Sequence, residues 1–329
     1  MKCTKIIINQ TNKEEGILRI NTIDELAERL GHSPGELKRI ANTKIRYYKV
    51  NEKIKPSGKL RTLYEPMGPL SKILKLIKER LLDGIELPEC MHGYRTGRDY
   101  ISNACVHVGK NIICKLDIKN FFPSIHHGRV FNILMDLGCS KQVAKLLTRL
   151  VTCDNHTPQG FNTSPTLSNI VVSNLARRLQ GLCNHYRLTL TIYSDDITIS
   201  GNIEQKKFEG LFYKELLPII EEIIKQEGFS LNFGKIKLVK RRDSQKVTGI
   251  IVNKKPNIPK QKRRELLSTI KEYQMNGVSI SHDSDLLKVK QSLRGKIANA
   301  QRVNRSFGQL LLREFEKIDW SRRVSFSSN

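Results

Sequence analysis

The sequence predicts an α+β fold in which helices and antiparallel hairpins follow one another without regular alternation. Apolar residues recur at helical spacing in several stretches, for example 69–82 and 204–227. Two other stretches, 45–65 and 188–200, alternate apolar and polar residues and fold back on themselves around turn residues. The chain has 329 residues, of which 39% are hydrophobic, so it can bury a core.

The N-terminal part, after an opening stretch without a clear pattern, predicts two short helices within residues 22–42. Thr22 and Ser33 are suitable N-caps, and Gly31 with Pro34 separates the two helices. We interpret the pair as an appendage that packs on the main fold; the alternative is a helix-turn-helix that binds DNA. The chain then divides into residues 1–44, a helical extension, 45–254, the main α+β body, and 255–329, a basic helical segment.

The remaining elements follow in order from periodicity and turn residues. Residues 45–65 form a hairpin with its turn at Pro56–Gly58, and residues 88–110 are rich in loops. Further helices are expected at 69–82, 129–151, 165–183 and 204–227, and further strands at 112–117, 229–239 and 246–253.

The charge of the chain indicates a polyanionic partner. Lys and Arg number 57 against 32 Asp and Glu, which gives a formal net charge of +25. Nucleic acid is the first candidate and an acidic membrane the second. No apolar run approaches the ~18 residues of a membrane span, and the N-terminus is unlike a signal peptide. The seven cysteines are scattered without a Cys-x-x-Cys pair, so we expect reduced thiols, no zinc site and a cytoplasmic location.

Two adjacent carboxylates stand out in the stretch "TIYSDDITIS". Asp195 and Asp196 lie between two strand-like runs, so a tight hairpin is expected. A solvated turn is one explanation of the pair. Adjacent like charges oppose each other's ionisation unless a cation is near, so a metal site is the other. A third carboxylate, Asp117, ends the apolar run "IICKL" and precedes Phe121 and Phe122.

Taken in order, "CKLDIKNFF", "TPQGFNTSPTLSN" and "YSDD" resemble the palm of reverse transcriptases. The segment "GKLRTLYEP" is similar to the part of that family's fingers that holds the incoming triphosphate. "EGFSLNFGKIKL" is similar to the segment after the catalytic hairpin, with Asn232 and Lys235 at the family's Asn and Lys positions. "NACVH" and "VTG" resemble two elements of retron reverse transcriptases. Asn120 departs from the broader family, which often has an acidic residue there.

The resemblance implies a right-hand polymerase architecture with fingers and palm in residues 45–254 and a small thumb in 255–329. It also implies two Mg²⁺ ions, held mainly by Asp117 and Asp195 with support from Asp196. The implied nucleotide contacts are Lys59 and Arg61 on the triphosphate, Gln159 on the nucleotide, Phe122 against a 2′-hydroxyl, and Lys235 as proton donor to pyrophosphate.

For RNA, the resemblance implies contacts by Asn103 and His107, and the basic segment adds Lys262, Arg263 and Arg264. Each assignment has a plainer alternative. Phe122 is then a core residue, Lys235 a solvated lysine, His107 a loop histidine, and the basic triplet the solvated face of a helix.

The implied retron cycle begins with binding of a cognate noncoding RNA (msr-msd). The enzyme primes from the 2′-hydroxyl of a guanosine and uses deoxynucleoside triphosphates to copy part of the RNA. The product is single-stranded DNA that stays joined to RNA (msDNA), and a separate effector protein acts with it in defence against phage. The alternatives are a group II intron-type reverse transcriptase, disfavoured by the absence of maturase and endonuclease regions, and a catalytically idle RNA-binding scaffold.

Overall fold

The computed structural model describes residues 18–54, 58, 60–279 and 283–324. It confirms the predicted α+β class. The helices are α1 (Ile23–Leu30), α2 (Pro34–Asn42), α3 (Gly68–Ile77), α4 (Tyr100–Cys105), α5 (Phe121–Ser124), α6 (His127–Asp136), α7 (Lys141–Val151), α8 (Ser164–His185), α9 (Gln205–Leu211), α10 (Leu217–Gln226), α11 (Lys260–Asn276), α12 (Asp283–Val303) and α13 (Arg305–Glu316).

The strands are short apart from those of one hairpin and of the central sheet. They are β1 (Tyr48–Ile54), β2 (Leu60–Pro66), β3 (Ile112–Asp117), β4 (Thr189–Tyr193), β5 (Asp196–Gly201), β6 (Lys237–Lys240), β7 (Lys246–Val247), β8 (Ile250–Ile251), β9 (Val278–Ser279) and β10 (Arg323–Val324).

The two N-terminal helices form as the capping residues predict. The Thr22 hydroxyl accepts a hydrogen bond from the Glu25 N–H at 3.1 Å, and the Ser33 hydroxyl accepts one from the Glu36 N–H at 3.2 Å. Each bond satisfies a donor that the first helical turn leaves free. The apolar faces of α1 and α2 are fully buried, which supports the interpretation that the pair packs on the main fold; these residues are Leu26, Leu30, Leu37 and Ile40.

The central sheet has the strand order β4-β5-β3-β6. Strands β3 and β5 are antiparallel and pair Asp117 with Asp196. Strands β4 and β5 are also antiparallel and pair Tyr193 with Asp196, so only Ser194 and Asp195 form the turn between them. Ser194 adopts a positive φ of 60°, as tight hairpins of this length require. The predicted hairpin is confirmed, and its turn lies at the end of β3.

Two predicted elements differ because turn residues interrupt them. The single helix expected at 129–151 is the pair α6 and α7, since Gly138 takes a φ of 91° and the Ser140 hydroxyl caps α7 by accepting from the Val143 N–H. The single strand expected at 246–253 is the hairpin β7–β8. Its turn residues Thr248 and Gly249 both have positive φ, at 43° and 86°.

Two other stretches also differ from expectation. Only the end of 229–239 forms a strand, because a 3₁₀ turn at Phe233–Lys235 precedes β6. The loop-rich stretch 88–110 contains α4. For the hairpin β1–β2, the strands confirm the prediction, whereas Pro56, Ser57 and Lys59 at its turn lie outside the described residues.

The described residues form two compact units. The first contains the chain up to Asp99 together with Asn111–Leu238, and the second contains Tyr100–Lys110 and the chain from Val239 onward. The second unit has its own apolar core, made of Ile270, Leu293, Ile297, Ala300, Leu311, Phe315 and Ile318. It begins before the predicted boundary at 254/255, and the functional subdomain boundaries stay predictions.

All described cysteines are free thiols, and five of the six are buried. In the described part of the chain, no helix combines the length and the apolar character needed to cross a membrane.

Candidate active site

A cleft of about 810 Å³ in the first unit brings together residues that the sequence separates by up to 174 positions. Its predicted members are Arg61, Asp117, Phe122, Gln159, Asp195 and Lys235. Asp196 is half-buried and pairs with Asp117 across β3 and β5, beside this lining. Lys59 lies outside the described residues.

Asp117 ends β3 and is 6% exposed. Lys235 Nζ donates to its Oδ1 at 2.6 Å, and Asn232 Nδ2 donates to its Oδ2 at 3.1 Å. The Asn232 N–H also donates to the Asp117 carbonyl at 2.8 Å. The segment after α10 therefore holds both the backbone and the carboxylate of Asp117. Asn232 and Lys235, which are similar to the family's Asn and Lys positions, thus both contact Asp117.

Asp195 and Asp196 are held at the end of β3 by the hairpin turn. The Ile118 N–H donates to the Asp195 carbonyl at 3.1 Å. Burial raises the pKa of Asp196; the Lys115 ammonium opposes this shift, and the carboxylates of Asp195 and Asp117 add to it. Three acidic side chains thus lie close enough to disfavour one another's negative charge.

Lys235 experiences the opposite effect. Its hydrogen bond to Asp117 raises the pKa of the ammonium, and Asp195 and Asp196 add smaller contributions in the same direction. The carboxylates therefore favour a cation among them, and in this structure the Lys235 ammonium supplies it.

The donor set fits a divalent cation in its chemistry. Carboxylate oxygens are the ligands that Mg²⁺ prefers. Among the described residues, however, no three His, Cys, Asp or Glu side chains are already grouped as metal ligands. Lys235 occupies one oxygen of Asp117, so a metal ion bound there would replace this ammonium.

Arg61 and Gln159 are linked through Tyr64, which the sequence analysis missed. The Tyr64 N–H donates to the Gln159 carbonyl at 2.8 Å, and the Tyr64 hydroxyl donates to Asp154 Oδ2 at 2.5 Å. Gly160 packs so closely on this strand that a Cβ would lie 2.3 Å from the Tyr64 carbonyl oxygen. The hairpin β1–β2 and the turn before α8 are therefore fixed to each other. Nothing in the local pattern around Tyr64 distinguished it from other strand residues.

Phe122 is half-buried and lines the cleft, whereas its neighbour Phe121 is 4% exposed. The two rings meet edge to face at 5.3 Å, and Phe121 continues to Phe229 at 5.9 Å. Phe121 is thus the core residue, and Phe122 packs against the core while it also lines the cleft. The steric role of Phe122 stays a prediction.

Two cleft residues have an unusual backbone conformation that the sequence analysis did not predict. Tyr94 has a φ of 51° and Asn120 a φ of 49°. Helix α8 begins at Ser164 with Pro165 in its first turn, and the Ser164 hydroxyl donates to the Pro158 carbonyl at 2.5 Å.

Asn103 and His107 lie in the second unit and are 1% and 0% exposed. The Thr248 hydroxyl donates to the Tyr100 carbonyl at 2.6 Å, so the "VTG" turn packs against the helix that contains Asn103. The prediction that these two side chains touch RNA does not fit their burial. In this structure they build the interior of the segment, and an effect on RNA would have to act through its fold.

The basic triplet at the start of α11 separates into two kinds of residue. Lys262 and Arg264 are exposed. Arg263 is half-buried, and its guanidinium carbon lies 5.8 Å from the centre of the Phe307 ring. Arg263 therefore packs within the second unit, and of the triplet Lys262 and Arg264 are the members with exposed side chains.

Residues 53–252 match the family described as "Reverse transcriptase (RNA-dependent DNA polymerase)". The chain is 30% identical over 231 residues to the Retron Ec86 reverse transcriptase of Escherichia coli, covering 70% of each chain. It is 30% identical over 267 residues to the Retron Mx65 reverse transcriptase of Myxococcus xanthus, covering 74% of this chain but 61% of that relative. The Retron Se72 reverse transcriptase of Salmonella heidelberg is 29% identical over 290 residues, covering 86% of this chain and 76% of the relative.

Proposed function

Because the chain belongs to the reverse transcriptase family, among its retron members, we propose that it copies a structured RNA into DNA at the cleft around Asp117 and Asp195. The observation that supports this most directly is the register of β3 and β5. It pairs Asp117 with Asp196 and brings the Asp195 turn to the end of β3.

The chemistry requires this kind of cleft. In nucleotidyl transfer a primer hydroxyl attacks an α-phosphate in line with the departing pyrophosphate. Negative charge on the attacking and leaving oxygens has to be neutralised, and family members generally use divalent metal ions for this. We assign two Mg²⁺ ions, which when bound would supply that neutralisation. Asp117 and Asp195 would hold both, with support from Asp196.

Lys235 acts on the leaving group. Its ammonium is exposed on one side and bonded to Asp117 on the other. The Lys235 ammonium is protonated at neutral pH, and its hydrogen bond to Asp117 raises its pKa further. It would then hold that proton at Nζ near the departing pyrophosphate and donate it.

The remaining cleft residues orient the nucleotide. Arg61 would bind the triphosphate, since a guanidinium pairs with two phosphate oxygens at once. Lys59, outside the described residues, would assist it. Gln159 would contact the incoming nucleotide, and the Tyr64 link keeps it in register with Arg61. The Phe122 ring would exclude a 2′-hydroxyl and so select deoxynucleotides.

The retron-specific part of the proposal concerns RNA. The chain would bind its cognate msr-msd RNA, prime from a guanosine 2′-hydroxyl, and leave msDNA joined to RNA. We further propose that the product acts with a separate effector protein in defence against phage. The support is the similarity to retron reverse transcriptases and the exposed cations Lys262 and Arg264, which suit an RNA backbone.

The test has two parts. Purified protein should extend a DNA primer on an RNA template with Mg²⁺, and Asp195→Asn should not. Nucleic acid that copurifies with the protein, sequenced after RNase treatment, should contain one DNA species with a residual RNA branch. Extension without a branched species would indicate another bacterial or group II intron-like reverse transcriptase. RNA binding without extension would indicate an idle scaffold.

A further inference from the structure

Residues 90–95 form a loop along the outer edge of the catalytic hairpin. Met91 forms a parallel bridge with Ile192 of β4. The His92 N–H donates to the Ile192 carbonyl at 2.9 Å, and the Ile192 N–H donates to the Cys90 carbonyl at 2.8 Å. The loop thus extends the central sheet by a short additional edge, which runs directly to the turn that contains Asp195.

The loop is fixed against the catalytic turn at Gly93. A Cβ on Gly93 would lie 2.8 Å from the Ser194 backbone nitrogen, so only glycine allows this approach. The Asn169 side chain, itself 2% exposed, donates to the Gly93 carbonyl at 2.7 Å. The position of the next residue, Tyr94, is therefore determined relative to Ser194 and Asp195.

Tyr94 adopts a backbone conformation that a bulky side chain rarely takes. Its φ is 51°, in the left-handed region, and such outliers persist where the surroundings dictate them. Tyr94 gains no burial in return, because the side chain is 46% exposed and lines the cleft. Its ring lies 6.1 Å from the Tyr193 ring with an angle of 41° between the planes. The strained conformation thus directs an open aromatic surface into the site.

The base of the loop is rigid. The His92 side chain is 4% exposed, and Arg98 Nη1 lies 3.1 Å from its Nε2. Burial, with help from Arg98 and Arg95, lowers the pKa of His92 to about 4, so the imidazole is neutral and accepts from Arg98 at neutral pH. Arg95 donates to the Pro88 carbonyl at 3.0 Å. The loop residues on either side of Tyr94 are therefore held in place by hydrogen bonds before any substrate binds.

The order of the sheet indicates which substrate meets this ring. Lys235, the proposed proton donor to pyrophosphate, bonds to Asp117 at the end of β3. It belongs to the segment that continues into β6, and Leu231 of that segment forms a bridge with Ile118. The Tyr94 loop lies beyond β4, on the opposite edge. In-line transfer places the attacking and leaving groups on opposite sides of the phosphorus atom. The Tyr94 edge is thus the side of the attacking hydroxyl.

We propose that Tyr94, with Tyr193 beside it, is a binding residue for the 3′-terminal nucleotide of the primer strand, whose base rests on the exposed ring. This rests on the proposed polymerase function and adds a primer-side residue to it. Aromatic rings accept any base by stacking, so the contact suits a primer end whose sequence changes at every step.

The test measures primer and nucleotide dependence separately. Tyr94→Ala should raise the KM for an annealed primer–RNA template about tenfold, a typical effect of losing one base–aromatic contact. The KM for the deoxynucleotide should stay unchanged. Tyr94→Phe keeps the ring and should restore primer affinity. Tyr213→Ala removes a tyrosine that is 56% exposed and lies outside the cleft lining, so it should match the wild type.

A primer with an abasic 3′-terminal residue distinguishes contact from mere support of the turn. If the ring binds the terminal base, Tyr94→Ala and the wild type should differ far less on the abasic primer than on the intact one. Equal loss of kcat on both primers, or an unchanged primer KM, would overturn the inference while leaving the polymerase function intact. A wild type that extends no primer at all would overturn both.

Discussion

The two units of this chain place their motif residues in opposite environments. In the first unit, the motif residues Asp117, Asp195, Gln159 and Lys235 line a cleft. In the second, Asn103 and His107 are buried, and the exposed charges of the basic triplet, Lys262 and Arg264, lie on α11. The motif residues of the first unit are therefore available to contact a substrate, whereas those of the second unit contribute to internal packing. Substitution of a motif residue in the first unit should lower activity and leave stability unchanged. Substitution of one in the second unit should lower stability and, with it, RNA binding.

The strongest test of this contrast is at the carboxylates. Asp195→Asn should lower primer extension on the order of 10³-fold, because the proposed metal ions that neutralise charge in the transition state would lose a ligand. Asp196→Asn should lose less, since Asp196 is only a supporting ligand. Thermal unfolding of both variants should match the wild type, because neither residue packs the core. Full-length cDNA from either variant would contradict the metal assignment.

His107→Ala should behave in the opposite way. The side chain is completely buried, so its removal leaves a cavity and unpaired polar groups, a loss of about 1–3 kcal/mol in the free energy of unfolding. Binding of cognate RNA should weaken where this loss leaves part of the second unit unfolded, as at raised temperature, because the apparent affinity falls with the folded fraction. Denaturant unfolding and RNA binding are measured on the same preparation. A fully stable variant that has lost RNA binding would restore the direct-contact prediction.

Phe122→Ala tests whether, within the first unit, this ring acts as a cleft residue or as a core residue. Without the ring, a 2′-hydroxyl would fit, and ribonucleotide incorporation should rise about 10- to 100-fold relative to the deoxynucleotide. Phe121→Ala is the matched comparison, because that ring is buried and should affect stability instead. An unchanged ribo-to-deoxy ratio in Phe122→Ala would make Phe122 a packing residue.

The basic triplet offers the same comparison within one helical turn. Neutralising Lys262 and Arg264 together should weaken cognate RNA binding several-fold and reduce its salt dependence by about two charges. Arg263→Ala should instead destabilise the second unit, since its guanidinium packs on Phe307. The measurements are RNA affinity as a function of salt and thermal unfolding. If both variants change RNA affinity and unfolding temperature to the same extent, the triplet does not divide into a packing residue and two surface charges.

The last prediction concerns pH. Folding lowers the pKa of His92 to about 4 from an unfolded value near 6.5. The unfolded state thus binds more protons below pH 6.5, and stability should fall as pH drops from about 6.5 to 4. His92→Gln keeps an acceptor for Arg98 without titrating, so its unfolding temperature should fall less over this range.

Much of the first unit was predictable because its motifs are ordered along the chain and its helices have capping residues such as Thr22 and Ser33. The cleft members followed from the family resemblance. The conformation of Tyr94 was not predictable, because it depends on how Gly93 packs against Ser194. The extent of the second unit was also not predictable from the sequence. Tyr100–Lys110 joins it through tertiary contacts such as the Thr248 hydrogen bond, which no local pattern reveals.

The pairing of Lys235 with Asp117 means that the chain contains an internal counter-ion for its own acidic cluster. An acidic site that depended on metal for charge balance would tend to unfold locally when metal is scarce. Here the Lys235 ammonium balances part of that charge, so we expect the cleft to fold without a bound metal ion. A chelator is therefore expected to stop DNA synthesis while the cleft stays folded and ready to be reloaded.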